Sequence, residues 1–220
     1  MSEGHADLAQ PNRPPIRQPV RPQAVVFDIG RVLIQWDLRH LFAKLIADPV
    51  ELDWFLSNVV TEEWHFQHDA GRPLAEMVPE RKAQFPAHAA LIDAYATRFN
   101  ETIPGRVPGT DRLVERLAQA GVPLFALTNF GSDFWPSFRA SEPLMGLFAD
   151  VVVSGDERCA KPDARIYELA EARFGVPPGA LFFTDDNPYN IAAARARGWQ
   201  AHLFTGADDL ETQLIAAGLL

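Results

Sequence analysis

Four stretches of the sequence place polar side chains at or just beyond apolar runs. Asp28 follows Ala24-Val25-Val26-Phe27, Thr128-Asn129 follows the run Val122 to Leu127, Lys161 lies beyond Val151-Val152-Val153, and Asp185-Asp186 come after Leu181-Phe182-Phe183. Together they supply the parts of a phosphoryl-transfer centre, in which catalysis comes mainly from positioning and charge neutralisation. Asp28 would use one carboxylate oxygen to attack phosphorus, while Thr128 and the Asn129 backbone hold phosphate oxygens. A hard Mg²⁺ ion requires oxygen ligands in octahedral geometry, which Asp28, the Gly30 carbonyl and Asp186 can share with waters and a substrate oxygen. Lys161 adds positive charge, and Asp185 orients either Lys161 or a metal-bound water.

Taken singly, each stretch also fits ordinary structure. Asp28 two residues before Gly30, and Asn129 before Gly131-Ser132-Asp133, are common turn chemistry. Lys161 and the Asp pair are harder to explain that way. Pro162 reads as the first residue of a helix, where a cation opposes the helix dipole by about 0.3–1 kcal/mol. Asn187 suffices to cap the helix that Pro188 opens, which leaves two adjacent carboxylates without a structural task.

The elements that must position these groups alternate between strand and helix. The buried run 24–27 reads as a strand, and further strands are expected at 122–127, 151–153, 181–183 and 201–204. Between them lie a helix capped by Thr110 and ended by Gly121, one from about Asp163 to Gly175, one from Pro188 to Gly198, and a last one near 210–217. This succession predicts an α/β fold with a Rossmann-like parallel sheet and helices on both faces. Ligands of such sheets bind at the carboxyl ends of the strands, where the four stretches fall. Residues 38–104 break the alternation: helical runs at 38–46, 51–60 and 87–99 appear without strands, and predict a helical insert. The expected organisation is a flexible Pro/Arg-rich tail at 1–22, a core of 23–37 with 105–220, and a small α-helical domain at 38–104.

The 220 residues suffice for one core with a modest insert, and carry a formal charge of -9. That charge opposes a broad nucleic-acid surface. Cys159 is the single cysteine, so no intrachain disulfide forms, and no apolar stretch approaches a membrane span. The expectation is a soluble cytoplasmic protein acting on a small phosphorylated metabolite.

Phe27-Asp28-Ile29-Gly30-Arg31-Val32-Leu33, Leu127-Thr128-Asn129, Lys161-Pro162-Asp163 and Phe183-Thr184-Asp185-Asp186-Asn187 resemble, in order, the four motifs of the haloacid dehalogenase superfamily. The insert resembles the helical cap placed between the first two motifs in the subgroup that holds sugar-phosphate phosphatases and 2-haloacid dehalogenases. The resemblance implies a Rossmann-like core, Mg²⁺ and an aspartyl-phosphate intermediate on Asp28. One departure matters: most phosphatases of the superfamily carry a second Asp two residues after the nucleophile, and here that position is Gly30. General acid-base help is worth about 10²–10⁴-fold, so water or a cap residue must substitute. Gly30 is further expected to hold a φ > 0 that a side chain would strain.

Within the insert, Trp64, His65, Gln67, His68 and Asp69 resemble the cap segment that faces the active site, and His68 is the first candidate for a substrate contact. Arg31 and Trp36 are expected to border the same pocket. Two alternatives accompany the phosphatase reading. One is a 2-haloacid dehalogenase, which needs no metal and gives Asp185-Asp186 no role. The other is a catalytically weakened phosphate-binding protein, kept open by Gly30.

Overall fold

Val25 and Phe27 pack into one layer of the core, and Ala24 and Val26 into another on the opposite side of the same strand. In the computed structural model, which describes residues 20–220, this strand is β1 (Ala24–Phe27), the centre of a five-stranded sheet. Its neighbours are β4 (Leu124–Thr128) and β6 (Leu181–Asp185), with β5 (Asp150–Val153) and β7 (Gln200–Leu203) outside them, in the order β5-β4-β1-β6-β7. Every pairing is parallel. Strands covered on both faces need apolar residues at successive positions, which is why β1, β4 and β6 read as unbroken apolar runs.

One face is covered by α6 (Thr110–Gln119), through Leu113, Val114 and Leu117, and by α11 (Ala207–Ala216), through Leu210 and Leu214. The other is covered by α9 (Ala164–Phe174), through Ile166, Tyr167 and Ala170, and by α10 (Pro188–Ala196), through Ile191 and Ala194. The shorter α7 (Trp135–Ser141) and α8 (Ser154–Glu157) follow β4 and β5. The fold is α/β, Rossmann-like, as the alternation predicts. Among the described residues no helix is long and apolar enough to cross a membrane.

Between β1 and α6 the chain forms α1 (Arg39–Phe42), α2 (Pro49–Asn58), α3 (Glu62–Asp69), α4 (Leu74–Gln84) and α5 (Ala89–Thr97). The run expected at 38–46 is helical only to Phe42, and α3 and α4 are additional helices, the second despite an internal Pro79. Two short strands that residue patterns did not indicate, β2 (Ile34–Gln35) and β3 (Gly105–Arg106), pair antiparallel where the chain leaves the sheet and returns. The helical unit is fastened to the sheet domain: Phe99 stacks on Phe134 at 3.8 Å, and the Leu74 amide donates to Asp133 at 3.1 Å.

Several local expectations are corrected. Gly109, with φ +86°, occupies the cap of α6, and Thr110 is its first residue, its hydroxyl donating back to the Val107 carbonyl. Helix α9 begins at Ala164 with Asp163 as its cap, so Pro162 is not the first helical residue and Lys161 stands ahead of the cap. Gly30 lies outside the left-handed region; its neighbour Arg31, at φ +59°, is the residue inside it. Of the tail expected at 1–22, residues 1–19 lie outside the described residues, while the Arg21 guanidinium donates to the Gly218 carbonyl.

Candidate active site

The order of the sheet brings the ends of β1, β4 and β6 side by side. Asp28 follows the last residue of β1, Thr128 ends β4 and Asp185 ends β6, so three functional groups separated by long stretches of chain occupy one edge. The loop after β5 delivers Lys161 to the same place. Its Nζ lies 2.9 Å from Asp28 Oδ1 and 2.6 Å from Asp185 Oδ2. Asn129 fixes that loop, its side chain donating to the Lys161 carbonyl at 3.0 Å and accepting from the Lys161 amide at 2.8 Å.

These charges are nearly dry, with Lys161 1% exposed and Asp28 8% exposed. Burial, together with the charges of Asp185 and Asp186, pushes the Asp28 carboxyl up to about 8 against the opposing pull of Lys161. Burial and Asp185 likewise raise Asp186. Burial alone would lower Lys161, but Asp185 and Asp28 outweigh it and hold the ammonium charged. Lys161 pairs with Asp28 and Asp185, and Arg31 opposes the rise of Asp186, so three carboxyl groups share two cations.

Oxygen atoms of Asp28, Asp185 and Asp186 lie within 4.8 Å of one another. An excess of buried negative charge on hard oxygen donors fits a divalent cation such as Mg²⁺. Thr128, expected to hold a phosphate oxygen, is wholly buried; its hydroxyl makes no hydrogen bond and it is not among the residues that line the cavity.

Above the carboxylates lies a cavity of about 410 Å³, within the ~300–1,000 Å³ usual for small-ligand sites. Asp28, Gly30, Lys161 and Asp186 line its floor. Helix α3 contributes Glu62, His65, Phe66 and Asp69, residues spaced i, i+3, i+4 and i+7. At roughly 100° per residue they share one face of the helix.

The sequence profile of haloacid dehalogenase-like hydrolases matches residues 22–198. The chain belongs to this family. It is 29% identical to an (S)-2-haloacid dehalogenase of Pseudomonas putida over 114 residues, 51% of this chain and 47% of that one. The chain thus spans about half the length of that curated relative. It is 24% identical to a sesquiterpene phosphatase of Aspergillus oryzae over 179 residues, 80% of this chain and 86% of the other. A haloacid dehalogenase-family enzyme of Bacteroides thetaiotaomicron, in complex with magnesium and inorganic phosphate, superposes with a TM-score of 0.66. That comparison covers 87% of this chain and 98% of the other at 18% identity.

In this haloacid dehalogenase-like hydrolase Asp28, Gly30, Arg31, Asn129, Lys161 and Asp186 line one cavity, with Asp185 directly behind Lys161. The Asp pair is not idle. Asp185 accepts from the Asn187 amide at 2.8 Å and from the Asn190 side chain at 3.0 Å, so only Asp186 is left without such a task. Arg31 lies over the Trp36 ring at 4.9 Å and pairs with Glu62.

His68, expected to contact substrate, does not line the cavity. It is wholly buried, its Nδ1 is 2.8 Å from the Arg72 carbonyl, and its ring meets Phe134 edge-on at 4.9 Å. Burial holds its pKa below the ordinary value. On the helix it falls about 240° from Glu62, outside the cavity-facing arc. His65 takes that place. Its Nδ1 is 2.7 Å from the Tyr95 hydroxyl, its Nε2 lies 3.3 Å from Asp69, and its ring stacks on Trp36 and on Phe99. The signal that could have found this face is the helical spacing of Glu62, His65, Phe66 and Asp69 behind the cap residue Thr61.

Proposed function

We propose that this chain is a Mg²⁺-dependent phosphomonoester hydrolase acting on a small metabolite, with Asp28 as nucleophile. The observation that carries the reading is the convergence of Asp28, Lys161, Asp185 and Asp186 at the carboxyl edge of the sheet, where carboxylates exceed the local positive charge. Asp28, the Gly30 carbonyl and Asp186 would hold Mg²⁺. When bound, that ion neutralises the carboxylates and the phosphate oxygens.

An oxygen of Asp28 attacks phosphorus, the bond from phosphorus to the ester oxygen breaks, and the alcohol leaves as a phosphoryl group forms on Asp28. Water then releases inorganic phosphate and restores the carboxylate. Lys161 places its ammonium beside the attacking carboxylate, and Asp185 fixes the direction of Lys161. Gly30 supplies no proton, so the leaving oxygen takes one from water or from the cavity's own groups. The helices between β2 and β3 act as a cap that closes the cavity over the substrate. The similarity to a sesquiterpene phosphatase, and to a fold relative that binds magnesium and phosphate, supports this reading.

Similarity to an (S)-2-haloacid dehalogenase favours a second reading, in which Asp28 displaces halide from carbon. Against it, halide displacement needs no metal and leaves Asp186, which lines the cavity beside Asp28, without a role. Assaying phosphomonoesters and 2-haloacids, each with Mg²⁺ and with EDTA, tests the choice. Phosphate release that EDTA abolishes is expected; metal-independent halide release without phosphate release would overturn the proposal.

A further inference from the structure

We infer that the organic group carried by the phosphate is apolar and bears no second anionic group, an inference that rests on the phosphomonoester reading above. Beyond the carboxylates the cavity is walled by Ile34, Trp36, Phe66, Phe99 and Phe130. Two of its aromatic residues are uncovered at the rim: Phe66 is 43% exposed and Tyr189 is 75% exposed. Large rings left open around a cavity gain by being covered with apolar surface.

A sugar would need the reverse, a donor or acceptor for each hydroxyl it buries. The polar groups on this side are largely engaged with one another. His65 Nδ1 is held by the Tyr95 hydroxyl, and Arg31 is paired with Glu62. Three lining groups remain unpartnered, the Trp36 ring N–H and one oxygen each of Asp69 and Asn190, too few to match every hydroxyl that a buried polyol would bring.

Charge narrows the class further. The cavity lining presents four carboxylates, Asp28, Glu62, Asp69 and Asp186, against two cations, both already in ion pairs. A second phosphate or a carboxylate on the substrate would enter a field in which carboxylates outnumber cations two to one.

The test is phosphate release in Mg²⁺ from benzyl phosphate, glucose 6-phosphate and 2-phosphoglycolate. All three are esters of primary alcohols, so bond cleavage is comparable and recognition differs. The kcat/KM for benzyl phosphate is expected to exceed both others about ten-fold or more, and Phe66→Ala is expected to shrink that advantage. An equal or higher value for either polar ester overturns the inference, as does an unchanged benzyl-to-glucose ratio in the Phe66→Ala protein. Release from none of the three would overturn the phosphatase reading instead. Calorimetric binding of benzylphosphonate against phosphonoacetate in Mg²⁺ then decides the inference independently: tighter benzylphosphonate supports it, and equal or weaker binding overturns it.

Discussion

Lys161 and Asp185 form a buried ion pair at 2.6 Å, and Asp185 is the better anchored of the two. Its carboxylate also receives the Asn187 amide and the Asn190 side chain, so the helix that opens at Pro188 and the last residue of β6 together fix where the ammonium points. Removing Asp185 strips the Asn187 amide and the Asn190 side chain of their acceptor and leaves Lys161 with Asp28 as its remaining partner. Asp185→Ala should therefore destabilise the protein by about 1–3 kcal/mol, read from urea unfolding. A loss below about 1 kcal/mol would show that Asp28 alone satisfies Lys161.

Asp28→Asn keeps the size of the side chain and an oxygen able to accept from the Ile29 amide, which the carboxylate does at 2.7 Å. The fold should persist by circular dichroism and urea unfolding. Phosphate release should fall to background, because the amide lacks the nucleophilic charge. Retention of an appreciable fraction of wild-type kcat would remove Asp28 as nucleophile.

Asp186 is half-buried, lines the cavity and is pressed upward in pKa by burial and by Asp185. Asp186→Ala is expected to leave the unfolding transition nearly unchanged and to raise the Mg²⁺ concentration for half-maximal activity at least ten-fold. An unaltered Mg²⁺ titration would place the metal elsewhere.

A Cβ built on Gly30 meets nothing within 4 Å, and its backbone is outside the left-handed region. Gly30→Asp should therefore fold normally. If a proton donor is missing here, the new carboxyl should help a poor alkoxide leaving group more than a nitrophenolate, which departs unprotonated. The kcat/KM ratio of benzyl phosphate to p-nitrophenyl phosphate should rise in the variant, a comparison that cancels any loss of active protein. An unchanged ratio in a folded variant would show that a group already in the cavity supplies the proton, with Asp69 the first to replace.

A Cβ on Gly131 would stand 2.0 Å from Cδ2 of His68. Gly131→Ala should destabilise by about 1–3 kcal/mol through overpacking where α3 meets the loop after β4. His68→Ala in the same chain should recover part of that loss. If the double variant unfolds at lower urea than Gly131→Ala alone, steric conflict is not the cause.

The sequence by itself determined the alternation of strands and helices, because strands buried on both faces need unbroken apolar runs and surface helices need spaced ones. It also put Asp28, Thr128, Lys161 and Asp185-Asp186 beside strand ends, since a polar residue stops such a run where it meets the sheet edge. The tertiary structure decided what these groups touch. Asp185 is a structural post as well as a carboxylate only because Asn190 and Lys161 arrive from different elements.

The cavity face of α3 escaped for a related reason. His65 and His68 are three residues apart and chemically identical, and only the docking of Phe134 and Gly131 onto α3 seals His68 away while His65, also buried, stays on the cavity lining. Strands β2 and β3 are two residues each, too short to carry a period, and pair only because the chain must leave and re-enter the sheet domain at one place. Local pattern fixes which residues are available; the long-range packing of elements selects the partners each one meets.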